Sequence, residues 1–193
     1  MNILKREDLM SLEQYAEQRD DFRSKVIAHK KFRRVGIGPY LFLYFEDALT
    51  IQYQVQEMLR IEKIFEATGI QEELDTYNPL IPDGQNLKAT AMLEYQDVGQ
   101  RKQQLALLRG IEDLVWIQVD GFDRVYTVSN EDLERSNAEK TSAVHFMRFE
   151  LDPDMIDALR TGAALKMGSS HKACPHDTTV DANIRTALLS DLS

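Results

Sequence analysis

The chain has 193 residues, a length that suits one domain or one domain with a tail. Its 43% hydrophobic and 28% charged residues are ordinary for a globular protein, and its net charge of −9 argues against general nucleic-acid affinity. The one cysteine, Cys174, excludes an intramolecular disulfide and indicates a reducing compartment. Since no apolar run reaches membrane-spanning length and the N-terminus lacks a signal-peptide core, we expect a cytoplasmic protein with neither a nucleic-acid nor a membrane partner.

The first predicted helix runs from about residue 12 to residue 31. Ser11 and Gln14 have the spacing of a capping box, in which each side chain satisfies a backbone N–H at the helix start. The helix ends in basic residues, and Arg33 and Arg34 follow directly. Cations at a helix C-terminus often form only a solvated face, but adjacent arginines can also bind an anion or a phosphate. Both interpretations stay open.

The second predicted helix covers residues 48–65 and has polar residues on its apolar face. At about 100° per residue, Gln54 and Glu62 project into the apolar stripe, whereas Glu57 and Arg60 project to the polar side. A carboxylate is costly to bury unless it is paired or protonated. Glu62 therefore either reaches water at an edge of the helix or lies buried beside a basic or metal partner.

A polar loop is predicted in the second half of residues 70–87. Pro79 and Pro82 each disfavour helix at the residue before them. Tyr77 and Asn78 lie at the start of this loop, where polar and aromatic residues serve either binding sites or ordinary turn contacts.

The last strong predicted strand raises the question of a tertiary polar pair. The earlier strands are predicted at residues 35–45, with a turn or bulge at Gly38-Pro39, and at residues 89–95, 115–119 and 124–128. In the strand at residues 143–151, alternation places His145 on one face and Arg148 on the other. If the second helix covers the face that bears His145, then Glu62 could meet His145. Such a contact would be a structural hydrogen bond, a proton-transfer pair or two metal ligands.

The C-terminal residues 168–193 are expected to be a loosely structured tail with a short helix near residues 184–192. The tail contains His171, Cys174 and His176, which are possible metal ligands, but their spacing does not match established zinc motifs. The sequence also contains no Walker loop, dinucleotide fingerprint or Gly-x-Ser-x-Gly elbow. Catalytic motifs therefore give no support to an enzyme.

Several stretches carry a resemblance to a known family. They are FRSKVI (22–27), KKFRRV (30–35), GPYLFLYFE (38–46), YQVQEMLRIE (53–62), ELDTYNPLIP (73–82) and KTSAVHFMRFEL (140–151). On these stretches the sequence resembles the bacterial domain-of-unknown-function family 3501 over essentially its whole length. Near the C-terminus the family pattern Asp-His-Pro-x-Tyr is matched only at His171, which weakens a site centred on the tail.

The resemblance implies a setting but no activity. Genes of the family that the sequence resembles are often neighbours of rubrerythrin-like and iron–sulfur oxidoreductase genes, so the resemblance implies a redox or peroxide-stress setting by association. The match carries over to candidate ligand-binding residues without assigning them roles. They are Arg33, Arg34, Gln54, Glu57, Arg60, Glu62, Tyr77, Asn78, His145 and Arg148.

We therefore predict a single α+β domain over residues 1–167, with a mostly antiparallel sheet of about five to six strands packed by the two long helices. Three function classes remain. The first is a non-catalytic accessory or binding protein, with a redox protein as partner. The second is a small enzyme or metal protein that uses Glu62 and His145, with His171 as a third metal ligand, and the third is a structural homo-oligomer. The sequence assigns no cofactor.

Overall fold

The computed structural model describes residues 3–132, 135–137 and 139–193. The helices are α1 (Leu12–Lys30), α2 (Ala48–Glu62), α3 (Ala67–Tyr77), α4 (Val98–Leu107), α5 (Pro153–Arg160) and α6 (Ala182–Leu189). The strands are β1 (Arg34–Ile37), β2 (Leu41–Phe45), β3 (Asn86–Leu93), β4 (Val115–Val119), β5 (Val125–Tyr126), β6 (Val128–Ser129), β7 (Val144–Glu150), β8 (Leu165–Ser169) and β9 (Asp177–Thr179). Within these ranges, no helix combines the length and the apolar character that a membrane crossing requires.

The strands form two antiparallel sheets, which confirms the predicted α+β class. The order of one sheet is β1-β2-β3-β7-β6, and the order of the other is β5-β4-β8-β9. The five-stranded sheet has the predicted size. The second sheet was not predicted, and it forms because β4 pairs with β8 instead of joining the first sheet.

The main core lies between the two sheets. Leu87 of β3 and Phe149 of β7 are cross-strand partners that point into this core, and Ile117 of β4 closes it from the other sheet. Because side chains alternate along a strand, Lys88 and Arg148 point to the opposite, outer face of the five-stranded sheet. These two residues are also register partners, so their side chains lie next to each other on that face.

A second, smaller core lies in the layer formed by α1, α2, α3 and the N-terminal segment. Ile51, Val55 and Leu59 of α2 pack with Leu74 of α3 and with Leu4. The capping box at the start of α1 is formed, with Gln14 N–H donating to the Ser11 hydroxyl at 3.2 Å. Local capping chemistry and apolar spacing thus produce the two predicted long helices.

The second helix ends earlier than the sequence predicted. Helix α2 stops at Glu62 because Lys63 adopts the left-handed conformation, with φ of 57°. The chain then leaves the direction of the apolar stripe, and Phe65 becomes 72% exposed instead of buried. The pattern of residue types over 48–65 did not reveal this turn, since Lys is not a residue that favours positive φ.

The segment 168–193 differs from the loosely structured tail that the sequence suggested. It holds β9 and α6, and four of its apolar side chains are buried in the main core. These side chains are Cys174, Val180, Leu188 and Leu192. They are widely and irregularly spaced, so neither a helical nor a strand period revealed their burial.

Candidate ligand-binding cleft

Arg33 is buried where α1, β2 and α6 meet, and its hydrogen bonds are internal. Its Nε donates to the Phe45 carbonyl at 3.0 Å, and its Nη2 donates to the Glu46 carbonyl at 3.1 Å. The guanidinium also pairs with Asp191 and, through Nη1 at 3.4 Å, with Asp47. These contacts favour the structural interpretation of Arg33 over an anion site, because its donors already serve protein groups.

Arg34 lies on the surface of β1. Its guanidinium carbon Cζ lies 3.7 Å from the centroid of the Phe42 ring, and its Nε donates to the Tyr44 hydroxyl at 2.9 Å. A half-exposed ion pair with Glu94, at 3.4 Å, completes its surroundings. The two adjacent arginines therefore point to different environments and do not form one phosphate site.

Glu57 joins α1 to α2. It accepts hydrogen bonds from the Tyr15 hydroxyl at 2.7 Å and from Arg19 Nε at 2.7 Å, and Arg60 Nη2 donates to it at 3.4 Å. The hydrogen bond from Arg19 is the main reason that the pKa of Glu57 is lowered to about 2. Gln54 lies half-buried in the preceding turn of α2. This cluster explains polar residues on α2 by helix–helix contact.

The structure does not bring Glu62 and His145 together. Glu62 is exposed at the end of α2. The pKa of Glu73 is raised, first by the burial of Glu73 itself and second by the negative charge of Glu62. His145 is buried in β7 and points between the two sheets, whereas α2 packs against α1 and α3. The proposed contact between Glu62 and His145 is therefore wrong, and Glu62 reaches water as its alternative interpretation required.

His145 belongs instead to a buried polar network. Asn130 Oδ1 accepts from the Phe146 N–H, so the Asn130 amide nitrogen faces His145 Nδ1 at 3.0 Å and donates to it. The His145 proton is thereby assigned to Nε2, which lies 2.9 Å from Thr141 Oγ1 and 3.0 Å from the Ser142 carbonyl. Burial lowers the pKa of His145, which agrees with a neutral ring.

Glu112 completes this network and was missed by the sequence analysis. Its carboxylate accepts from Thr141 Oγ1 at 3.0 Å and from the Ser136 hydroxyl. Burial alone would raise the pKa of Glu112. Its hydrogen bonds and nearby charges outweigh burial and lower this pKa, and the hydrogen bond from Ser136 is the largest of these contributions. Glu112 lies in a short 3-10 turn, where no periodic pattern marks a residue as buried. The network anchors the loop before β7.

Asn78 and His171 also make internal contacts. The Asn78 side-chain amide donates to the Leu4 carbonyl at 2.9 Å and accepts from the Leu4 N–H at 3.0 Å, so it fixes the N-terminal segment. His171 lies in a turn, with Nε2 at 3.2 Å from the Arg109 carbonyl. Among the described residues, no three His, Cys, Asp or Glu side chains are grouped to hold a metal ion, so Glu62, His145 and His171 do not form a site.

Two of the candidate residues, Tyr77 and Arg148, lie on one cleft of about 650 Å³. The cleft lies on the outer face of the five-stranded sheet, between β3, β6 and β7 on one side and α3 with the turn after it on the other. Its apolar wall is formed by Tyr77, Pro79, Leu80, Val128 and Phe146. Its charged groups are Asp75, Lys88, Glu131, Asp132, Arg135 and Arg148.

Four of the charged groups of the cleft form two ion pairs. Arg148 donates through Nε and Nη2 to the two carboxylate oxygens of Glu131, each at 2.8 Å, and through Nη1 to Glu150. Arg135 forms a bidentate pair with Asp132, and its Cζ lies 4.4 Å from the centroid of the Phe146 ring. The cleft is thus apolar at one wall and carries paired charges at its rim.

Lys88 projects between the cleft and the turn that follows α3. Its Nζ donates to the Pro79 carbonyl at 2.8 Å and to the Ile81 carbonyl at 3.0 Å. Burial lowers the pKa of Lys88, although nearby Asp83 opposes this shift. The pattern of residue types did not select Lys88, since it lies just before the predicted strand at residues 89–95 and one lysine there is most simply a solvated residue.

The fold and the cleft define a two-sheet α+β protein with a pocket of small-molecule size. The particular family follows from the sequence match. A family model described as protein of unknown function, DUF3501, matches residues 3–192, and the chain belongs to this family. No curated protein matches the chain.

A solved structure supports the same fold. It is the crystal structure of a novel protein of unknown function from Burkholderia pseudomallei K96243, determined at 1.90 Å resolution. The two chains are 51% identical, with a TM-score of 0.94, and the match covers 99% of this chain and 100% of the other. That protein, too, is described as one of unknown function.

Proposed function

We propose that this protein is a non-catalytic binding protein and that the cleft on the outer face of the five-stranded sheet is its ligand site. The observation that carries this proposal is the combination of a 650 Å³ volume, an apolar wall and a few charged groups at the rim. Small-molecule sites in proteins have volumes of about 300–1,000 Å³ and this mixture of surfaces.

The chemistry of the charged groups supports binding over catalysis. General acid–base catalysis needs a titratable group within reach of the substrate and with a pKa near the working pH. Here Arg148 is paired with Glu131 and Glu150, and Lys88 is held by two backbone carbonyls. These contacts hold the charges in place and suit them to orienting a ligand.

We also propose that the protein acts in the cytoplasm as an accessory to a redox protein. The support for this role is the gene setting that the family resemblance implies, together with the single cysteine. Cys174 is buried, and burial raises the pKa of its thiol, so its own reactivity does not contribute to this support.

The test of the binding site uses naphthalene-2-carboxamide, a neutral aromatic probe, in an NMR titration of ¹⁵N-labelled protein. We expect saturable shifts at Tyr77, Val128 and Phe146, because their side chains line the cleft. Replacing Phe146→Ala removes part of the wall and should weaken binding by about two- to tenfold. Phe32→Ala is the matched control, since Phe32 is exposed outside the cleft.

Saturation without shifts in the cleft, or equal affinities of the wild type and the Phe146→Ala variant, would overturn the proposal. A chemically altered probe after incubation would contradict its non-catalytic part. Mass spectrometry of the recovered probe provides that measurement.

A homo-oligomer is a second candidate, favoured by the apolar surface at the end of α2. Phe65 is 72% exposed, yet it also lines a groove of about 590 Å³ together with Leu9, Leu59 and Ile70. A residue that projects beside its own groove suits a two-fold arrangement, in which each copy inserts Phe65 into the groove of the other. Light scattering coupled to size-exclusion chromatography should show a dimer that Phe65→Ser converts to a monomer; a wild-type monomer at high concentration would refute this arrangement.

A further inference from the structure

The guanidinium of Arg148 presents a complete carboxylate-binding edge to the cleft. Its Nε and Nη2 each lie 2.8 Å from an oxygen of Glu131, which is the bidentate geometry that arginine forms with carboxylates. Its third nitrogen, Nη1, donates to Glu150. The same arginine is therefore fixed on one side and engaged with a carboxylate on the side that faces the cleft.

The two carboxylates on Arg148 are held very differently. Glu150 lies in β7 and accepts a second hydrogen bond, from Asn86 Nδ2 at 3.0 Å, so the sheet fixes its position. Glu131 lies in the loop after β6, directly after Asn130 with its positive φ of 53°, and its side chain is 53% exposed. Both carboxylates are about half-exposed, at 53% for Glu131 and 47% for Glu150, so the difference lies in the loop that carries Glu131; a carboxylate that takes its place keeps the bidentate pair on Arg148.

From this difference we propose that the cleft takes an aromatic monocarboxylate, and that Glu131 occupies the position on Arg148 that the ligand carboxylate would take. The inference rests on the proposed binding function and adds the class of ligand. Glu131 then acts as an internal competitor that a ligand displaces when its apolar body also gains contacts with the wall.

The neighbouring residues fit the two ends of such a ligand. Phe146 lies two residues from Arg148 on the same face of β7, which places their backbones about 6.6 Å apart. A ligand carboxylate on Arg148 would therefore have the Phe146 side chain beside it on the same face, where the Arg135 Cζ already lies 4.4 Å from the centroid of the Phe146 ring. Lys88 is the register partner of Arg148 and adds a second positive charge. Two of its three ammonium donors go to the carbonyls of Pro79 and Ile81, so the third can serve a ligand.

The experiment compares naphthalene-2-carboxylate with naphthalene-2-carboxamide, which has the same ring system but no charge. Both dissociation constants are measured by NMR titration for the wild type, Glu131→Ala and Arg148→Met. We expect Glu131→Ala to tighten carboxylate binding by about two- to fivefold and to leave amide binding unchanged. Arg148→Met should abolish the preference for the carboxylate. Glu139→Ala is the matched control, since Glu139 is an exposed glutamate of the same loop outside the cleft.

The possible results separate this inference from the proposed function. Equal affinities for carboxylate and amide in both the wild type and Glu131→Ala would overturn the inference, while amide binding at Phe146 would still support the proposed site. Failure of both probes to bind would overturn both. Arg148→Lys keeps the charge but removes the bidentate edge, so loss of the carboxylate preference in that variant decides the question if Arg148→Met does not fold.

Discussion

Replacing Arg33→Met should destabilise the protein much more than replacing its neighbour Arg34→Met. Arg33 is 1% exposed and donates to the carbonyls of Phe45 and Glu46. It also pairs with Asp47 and Asp191, whose side chains are 17% and 6% exposed. Methionine fills similar space without supplying a donor, so two carboxylates and three carbonyls, including that of Ala187, lose a charged partner.

The magnitude follows from the cost of leaving buried charges without compensation. Breaking a buried ion pair by removing one partner costs about 3–5 kcal/mol. The total free energy of unfolding of a domain is about 5–15 kcal/mol, so the variant should retain only part of its stability. With an m-value of about 2 kcal/mol/M, the urea midpoint should fall by about 2 M.

Urea denaturation, followed by circular dichroism, measures this effect, and the neighbouring residue supplies the control. Arg34→Met removes a half-exposed arginine with a ring contact and a surface ion pair, so it should cost about 1 kcal/mol or less. Similar losses for the two variants, or a loss below 1 kcal/mol for Arg33→Met, would refute the assignment of Arg33 as a structural anchor.

The pH dependence of the Arg33→Met variant gives a second measurement. Burial raises the pKa of Asp191 to about 6, even though Arg33 opposes the shift. Without Arg33 this pKa must rise further, because the favourable charge is gone. A carboxyl group with a raised pKa in the folded state stabilises the protein below its unfolded pKa and loses that contribution as the pH rises through the folded value. The gap between variant and wild type should therefore narrow between pH 7 and pH 4.

Two further substitutions test the polar residues of α2. Glu57→Gln should cost about 1–3 kcal/mol at pH 7, because hydrogen bonds from Tyr15 and Arg19 to a charged acceptor are weakened. The Arg19 hydrogen bond lowers the pKa of Glu57 from 4.5 to about 2, so the stabilisation is fully present above pH 4.5 and is lost as the pH falls toward 2. In urea denaturation, the free energies of unfolding of the wild type and Glu57→Gln should therefore approach each other over this range. Glu62→Gln should change the free energy of unfolding by less than about 0.5 kcal/mol, as expected for an exposed side chain; a loss above 1 kcal/mol in thermal denaturation would show that Glu62 has a buried partner.

Those parts of the fold that depend on local chemistry could be predicted from the sequence. The capping box at Ser11 and Gln14 and the N-cap at Asp47 mark helix starts because the interactions involved span only three residues. The pairing of β4 with β8 could not be predicted in this way. It joins Val115 to Ser169, and hydrophobic alternation shows which face of a strand is buried but not which partner it takes.

The candidate site could be predicted only in part, because its residues come from separate elements. Tyr77 and Arg148 were among the candidates and lie on the same cleft. Lys88 and Glu131 were not, since each is an ordinary charged residue until the sheet register places Lys88 beside Arg148 and the loop brings Glu131 to the same guanidinium. The contact between Glu62 and His145 failed for a related reason. The sequence showed two polar residues on apolar faces but not that these faces belong to different layers.

The exposure of the carboxylate distinguishes the structural ion pair at Arg33 from the ion pair at Arg148, where a ligand could replace the carboxylate. In the pair of Arg33 with Asp191, both side chains are almost fully buried, so exchange of the carboxylate would expose a buried charge at a cost of several kcal/mol. In the pair of Arg148 with Glu131, the carboxylate is 53% exposed and lies on a loop, while the arginine faces a cleft with an apolar wall. An incoming carboxylate could replace Glu131 without leaving the guanidinium unsatisfied. The same type of contact therefore stabilises the fold at one place and offers a binding position at the other, and the difference lies in what surrounds it.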